Sequence, residues 1–152
     1  MLMTDSDTYT TALAALAVRQ GANVQPGQVV ALASEPGKEA MARAIAEAAY
    51  AAGAKFVDLT VYDVYLKRAR ALHADRDSLG YVPPWLGARV LALGDERAAR
   101  ISLSGPVAPH ALDDVDRGRV TLEDDERAVF HCDVANADVL EDVGEELIAV
   151  RG

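Results

Sequence analysis

Two rhythms of apolar residues alternate along the chain. In TYTTALAALAVRQGANV, residues 8–24, Leu13, Leu16 and Ala17 recur at helical spacing, and Gly21 is placed to end the helix. The Pro-Gly pair of QPGQ then predicts a turn, because proline presets φ and glycine takes the positive φ that follows. VVALAS, Val29 to Ser34, is a short unbroken apolar run, the pattern of a strand buried on both faces. The clearest helix follows in EPGKEAMARAIAEAAYAAGAK. Ser34 is close enough to help cap it, Pro36 suits its first turn, and Gly53 supplies the left-handed position after its end. Met41, Ile45, Ala48 and Ala52 form one face of that helix, and Glu39, Arg43 and Glu47 form the other.

After a very short return, KFVDLTVYD reads as a second strand. Strand, helix and strand at this spacing make a βαβ unit, so the two strands should be parallel with a right-handed crossover. DVYLKRARALHA predicts another helix, the Pro-Pro of YVPPWLGARVLALGDERAAR opens a further one, and ISLSG is a third short strand. The expected fold class is α/β: a small layered domain with a mostly parallel sheet built on the βαβ unit. It is expected to occupy residues 1–120, with an acidic C-terminal extension of uncertain structure over residues 121–152.

Charge sets that extension apart. Residues 1–110 hold 11 acidic and 11 basic side chains, whereas residues 111–152 hold 13 acidic and 4 basic, so the net charge of -9 lies wholly in the second part. The lack of clustered cations argues against a nucleic-acid partner. No apolar run approaches the roughly 20 residues of a membrane helix, and MLMTDSD lacks the basic start of a signal peptide. The one cysteine cannot form an internal disulfide and fits a reducing compartment. A cytoplasmic protein without membrane association is expected.

Few residues suggest chemistry. The corner ALASEPGKEAM has one glycine, and Lys38 is followed by Glu39 where a phosphate loop has Ser or Thr, so Lys38 is expected on a solvated first turn. No G-x-G-x-x-G follows the strand. Lys67, Arg68 and Arg70 with His73 suggest a basic helix face paired to nearby acids. Trp85 after two prolines reads as a packing anchor, and Ser104 sits in a turn with no nucleophile elbow around it. VFHCDVANAD sets His131, Cys132 and Asp133 side by side. In a strand His131 and Asp133 would share a face and Cys132 would oppose them, so a metal would gain two ligands where zinc needs about three or four. His73, His110, Glu141, Glu145 and Glu146 are the other candidates nearby in type.

The ordered set GANVQPGQVVALAS, ARAIAEAAYAAGAKFVDLTVYD, RARALHA, VPPWL and ISLSGP…LDDVDRGRV, across Tyr9 to Val120, resembles the N-terminal domain of the thermophilic-metalloprotease-type aminopeptidases, the aminopeptidase T and aminopeptidase S family. The resemblance implies a metal-dependent exopeptidase acting on peptides, in which water on a divalent metal (zinc, cobalt or manganese) attacks the scissile carbonyl. It also implies that paired metals sit on Glu, His and Asp residues of a C-terminal domain, so no catalytic residue carries over to the matched stretch. The family ends in a His-x-Asp pair, which makes His131 and Asp133 a candidate vestigial metal pair. From about Thr121 the chain is expected to depart from the family pattern. The resulting expectation is an aminopeptidase domain that is inactive and metal-free as this chain, and that forms a weak homodimer. The alternatives are a non-enzymatic α/β interaction or dimerisation module, and a small-ligand-binding protein using the carboxyl ends of its parallel strands.

Overall fold

A computed structural model describes residues 5–105 and 108–121. The chain divides into two compact units, one comprising Met1–Asp63 and Glu96–Val107, the other Val64–Asp95 and Ala108–Gly152.

The first unit holds the sheet. Its strands are β1 (Val29–Ser34), β2 (Phe56–Val61) and β3 (Ala99–Ser102), all parallel, in the order β2-β1-β3. The continuous apolar run becomes the central strand because only that strand has a neighbour on each side. Val30 pairs in register with Val57 and Ala99, and Leu32 with Leu59 and Ile101, so these side chains share one face. Helices α1 (Asp5–Leu16) and α2 (Glu39–Ala51) supply the rest of the core, in which Val18, Val30, Leu32 and Ile45 are the largest fully buried side chains of this unit. Ala14, Ala42 and Ala49 are buried among them, and small side chains at these points allow close approach of the backbones.

Three details differ from the sequence expectations. First, Ala14 of α1 and Val18 just after it are buried, whereas Leu13 and Leu16, whose spacing marks the helix, are 54% and 56% exposed. The helix continues into a π-helical turn, Ala17–Gly21, closed by Ala22 N–H donating to Ala17 O at 2.8 Å. Second, α2 starts at Glu39, and Pro36 lies ahead of it in a turn. Ser34 Oγ donates to Glu35 O and does not cap the helix. Gly37 takes φ +86°, and its N–H donates to the Glu39 carboxylate at 2.9 Å. That bond, helped by Glu39's own N–H, holds the carboxyl below the usual glutamate range. Third, Leu59 on β2 is 50% exposed although its register partner Leu32 on the central strand is 2% exposed. The turn ahead of β1 and the end of α2 support each other: Gly53 has φ +92°, and Gly27 N–H donates to its carbonyl at 2.8 Å.

The second unit contains α3 (Val64–His73), α4 (Arg76–Leu79) and α5 (Pro84–Asp95), with residues 117–121 also helical. Pro84 opens α5 at the position where its missing N–H costs nothing. Among the described residues, Ala71, Leu79, Val90 and Val115 are its buried apolar side chains. Arginines bind its segments together, as set out below.

Candidate functional site

In an open parallel sheet a ligand crevice forms beyond the carboxyl ends of the strands, where the connections leave in opposite senses. Here that point is β1, with β2 on one side and β3 on the other. Lys38 occupies it. Its ammonium donates to Glu35 Oε2 at 2.7 Å, Leu103 O at 3.1 Å and Gly105 O at 3.3 Å. Three donors meet three acceptors, so the ammonium ties the turn after β1 to the segment after β3 and is saturated. The expectation of a solvated lysine on a first helical turn is corrected: Lys38 precedes α2, and its charge is used inside the fold. A phosphate could take this lysine only by displacing Glu35 and two carbonyls.

The basic residues of α3 are likewise engaged inside the second unit. Lys67 is buried. The Arg68 guanidinium grips both carboxylate oxygens of Asp114 and donates to Ala111 O at 2.8 Å. The hydrogen bond from Arg68 holds the Asp114 carboxyl below the usual aspartate range and raises the guanidinium in turn. Arg70 Nη2 donates to the carbonyls of Ser78, Leu79 and Tyr81, at 3.1, 2.8 and 3.1 Å. From the other side, Arg119 donates to Ala71 O and Ala74 O at the carboxyl end of α3. Arg68 pairs with an acid, whereas the partners described for Arg70 and Arg119 are backbone carbonyls, which sequence patterns do not display. His73 is exposed, and His110 Nδ1 lies 2.8 Å from Asp113 in an exposed local pair. Trp85 is 69% exposed and is not the packing anchor expected.

No three His, Cys, Asp or Glu side chains converge among the described residues, so these residues do not fit a metal. His131, Cys132 and Asp133 lie outside the described residues. No helix among those described is long and apolar enough to cross a membrane. Ser104 follows β3 in non-regular backbone and has no base beside it among the hydrogen bonds of the described residues.

Sequence reasoning missed one apolar feature of the first unit. Tyr9, Thr10, Ala12, Leu13 and Leu16 of α1 line, with Met41 of α2, a groove of about 430 Å³. Its signal was present as Tyr9, Leu13 and Leu16 at i, i+4 and i+7, but a helical period alone does not say which side faces the core.

Comparison with known proteins gives this arrangement its context. The sequence profile described as thermophilic metalloprotease (M29) matches residues 6–141. The match therefore runs past Thr121, where a departure was expected, and takes in His131 and Asp133. Aminopeptidase 2 of Geobacillus stearothermophilus is 33% identical over 107 residues, which is 70% of this chain and 26% of that protein. Aminopeptidase T of Thermus thermophilus is 35% identical over 101 residues, covering 66% of this chain and 24% of that protein. Aminopeptidase PepS of Streptococcus thermophilus is 34% identical over 90 residues, or 59% of this chain and 22% of that protein. The structure of wild-type AmpT from Thermus thermophilus superposes with a TM-score of 0.72 at 29% identity, over 86% of this chain and 32% of that one. The chain thus spans about a quarter of the length of these curated relatives. With the match covering most of its residues, and with the α/β fold in agreement, the chain belongs to the thermophilic metalloprotease family M29.

Proposed function

We propose that this chain is the N-terminal scaffold domain of a metal-dependent aminopeptidase, and that its described residues provide structure while the peptide-cleaving chemistry belongs to residues of the longer relatives. The observation that carries this reading is the pairing of the family match with the engagement of the described polar groups. Lys38, Arg68, Arg70 and Arg119 are spent on carbonyls and carboxylates of the fold, and no cluster of metal-binding side chains is present among the described residues. Hydrolysis by metal-bound water needs a held ion with an open position, which about three protein ligands supply. His131 and Asp133 alone fall short of that number. Purified chain given zinc, cobalt or manganese should therefore release no amino acid from aminoacyl chromogenic substrates above a blank. Turnover that a chelator and His131→Ala both abolish would overturn the reading and establish a working site around His131 and Asp133.

A second reading, an interaction or dimerisation module, is supported by the exposed stripe Tyr9, Leu13 and Leu16 beside Met41. An apolar stripe at helical spacing with a flexible methionine at its edge suits another helix. The net charge of -9 opposes self-association most strongly at low salt. Sedimentation velocity should show a weak dimer whose fraction rises with salt and falls for Leu13→Glu. A monomer at high protein concentration in both low and high salt removes this reading.

A further inference from the structure

Among the described residues the sheet of the first unit stops at β2, and the outer edge of that strand is only partly closed. Val57 N–H turns away from β1 and donates to the Tyr50 hydroxyl at 3.2 Å. Tyr62 N–H, of opposite parity in the strand, turns the other way and donates to Ser34 O of β1 at 2.8 Å. Backbone direction alternates along a strand, so the N–H and C=O of Leu59 and Val61 point outward with those of Val57. No hydrogen bond of the described residues falls on these outer groups of Leu59 and Val61. Their side chains, which share a face with Val57, are 50% and 56% exposed.

Open strand edges are normally paired, covered, bulged or guarded by Lys or Pro, because their free backbone groups recruit other strands. The strand FVDLTV has neither Lys nor Pro, and Tyr50 guards only its Val57 end. The position of the open groups selects the occupant. When two copies of β2 run antiparallel about a two-fold axis at Thr60, Leu59 of each copy faces Val61 of the other. Each facing pair then exchanges both backbone hydrogen bonds, so every open N–H meets an open C=O. The Tyr50 cap on Val57 stays in place. Leu59 and Val61 of both copies come together on one face, where cross-strand apolar pairs add to the contact. Asp58 is the one charged residue of the strand, and in this register it stands opposite Tyr62 of the second copy, so no like charges meet within the strand pair. We propose that β2 is a self-pairing edge through which two copies of this chain join their sheets by way of Leu59 and Val61. This surface is separate from the α1 stripe, and the inference does not depend on the enzymatic reading above.

Amide exchange resolved residue by residue by NMR on the full chain tests it. From micromolar to millimolar protein, exchange at Leu59 and Val61 should slow at least about threefold, the factor expected when two thirds of the chains are paired. Val61→Lys places a cation at the edge and should abolish this concentration dependence while β1 keeps its protection. Leu13→Glu, which acts on the α1 stripe, should leave it intact. Exchange at Leu59 and Val61 that is the same at every concentration overturns the proposal, whether fast, with the edge open, or slow, with the edge covered by its own chain. So does a concentration dependence that survives Val61→Lys or disappears in Leu13→Glu. If Val61→Lys also loses β1 protection, a mixture of isotope-labelled and unlabelled native chains decides. A nuclear Overhauser contact from Leu59 of one copy to Val61 of the other supports the pairing, and its absence at millimolar protein overturns it.

Discussion

At the residue scale, conformations and charges that look similar in sequence carry different weights. Gly37 and Gly53 both have positive φ. A Cβ on Gly37 would meet open space, whereas a Cβ on Gly53 would lie 3.2 Å from Pro26 Cα and Cβ. Gly37→Ala should therefore cost only the conformational strain, about 1 kcal/mol, and Gly53→Ala measurably more, about 2 kcal/mol or above. Urea unfolding of the two variants checks the order; equal losses would show that the Pro26 contact relaxes freely. Asp114 offers a test of the arginine bracing. Its carboxyl is held low by Arg68, so the pair contributes to stability above the ordinary aspartate value of about 3.9 and loses that contribution as pH falls through the lower folded-state value. Carbon-detected titration should find Asp114 below the ordinary range in the native chain and back within it in Arg68→Gln. An ordinary value in both would mean the pair does not persist in solution.

At the element scale, α2 is the keystone of the first unit. Ile45 is 1% exposed and packs with Leu32, Val30 and Val18 in one cluster. Ile45→Asp would leave a carboxylate without a partner in that cluster, at a cost of more than about 4 kcal/mol, enough to unfold a small domain. Ile45→Val removes one methylene and should cost about 1 kcal/mol. A cooperatively melting Ile45→Asp protein would show that the helix is not packed as described. Lys38→Met tests the strand-end tie: it strips the donor from Leu103 O and Gly105 O and leaves Glu35 without its cation. Hydrogen exchange at β3 should then rise while β2 stays protected, since β2 pairs with β1 independently of the tie.

For the whole molecule, the acidic end changes meaning once the fold is seen. Asp114 and Arg119 belong to the stretch where the acidic excess begins, yet both hold α3 in place. A chain ending at residue 107 should therefore lose the second unit's native circular dichroism signal, whereas one ending after Val120 keeps both arginine ties. If the two truncations melt alike, the ties contribute little. The family match to residue 141 agrees with a fold that reaches past the charge-neutral part of the chain.

Much of the first unit was legible in the sequence because its signals are local. Val29 to Ser34 is too apolar to sit anywhere but the middle of a sheet, Gly53 marks a helix end, and the short return to Phe56 leaves room only for a parallel crossover. Those choices depend on backbone stereochemistry and on apolar burial within a few residues of each position. Tertiary structure alone decided which side of α1 and α3 faces inward, where Trp85 lies, and what the cations touch. A helical period specifies a stripe but not its partner, and Leu13, Leu16, Tyr65 and Leu66 were free to be core until packing placed Ala14, Val18 and Ala71 there. The carbonyl acceptors of Lys38, Arg70 and Arg119 are backbone groups that every residue carries. Only the path of the chain, bringing residues far apart in sequence within about 3 Å, selects which of them a cation will bind.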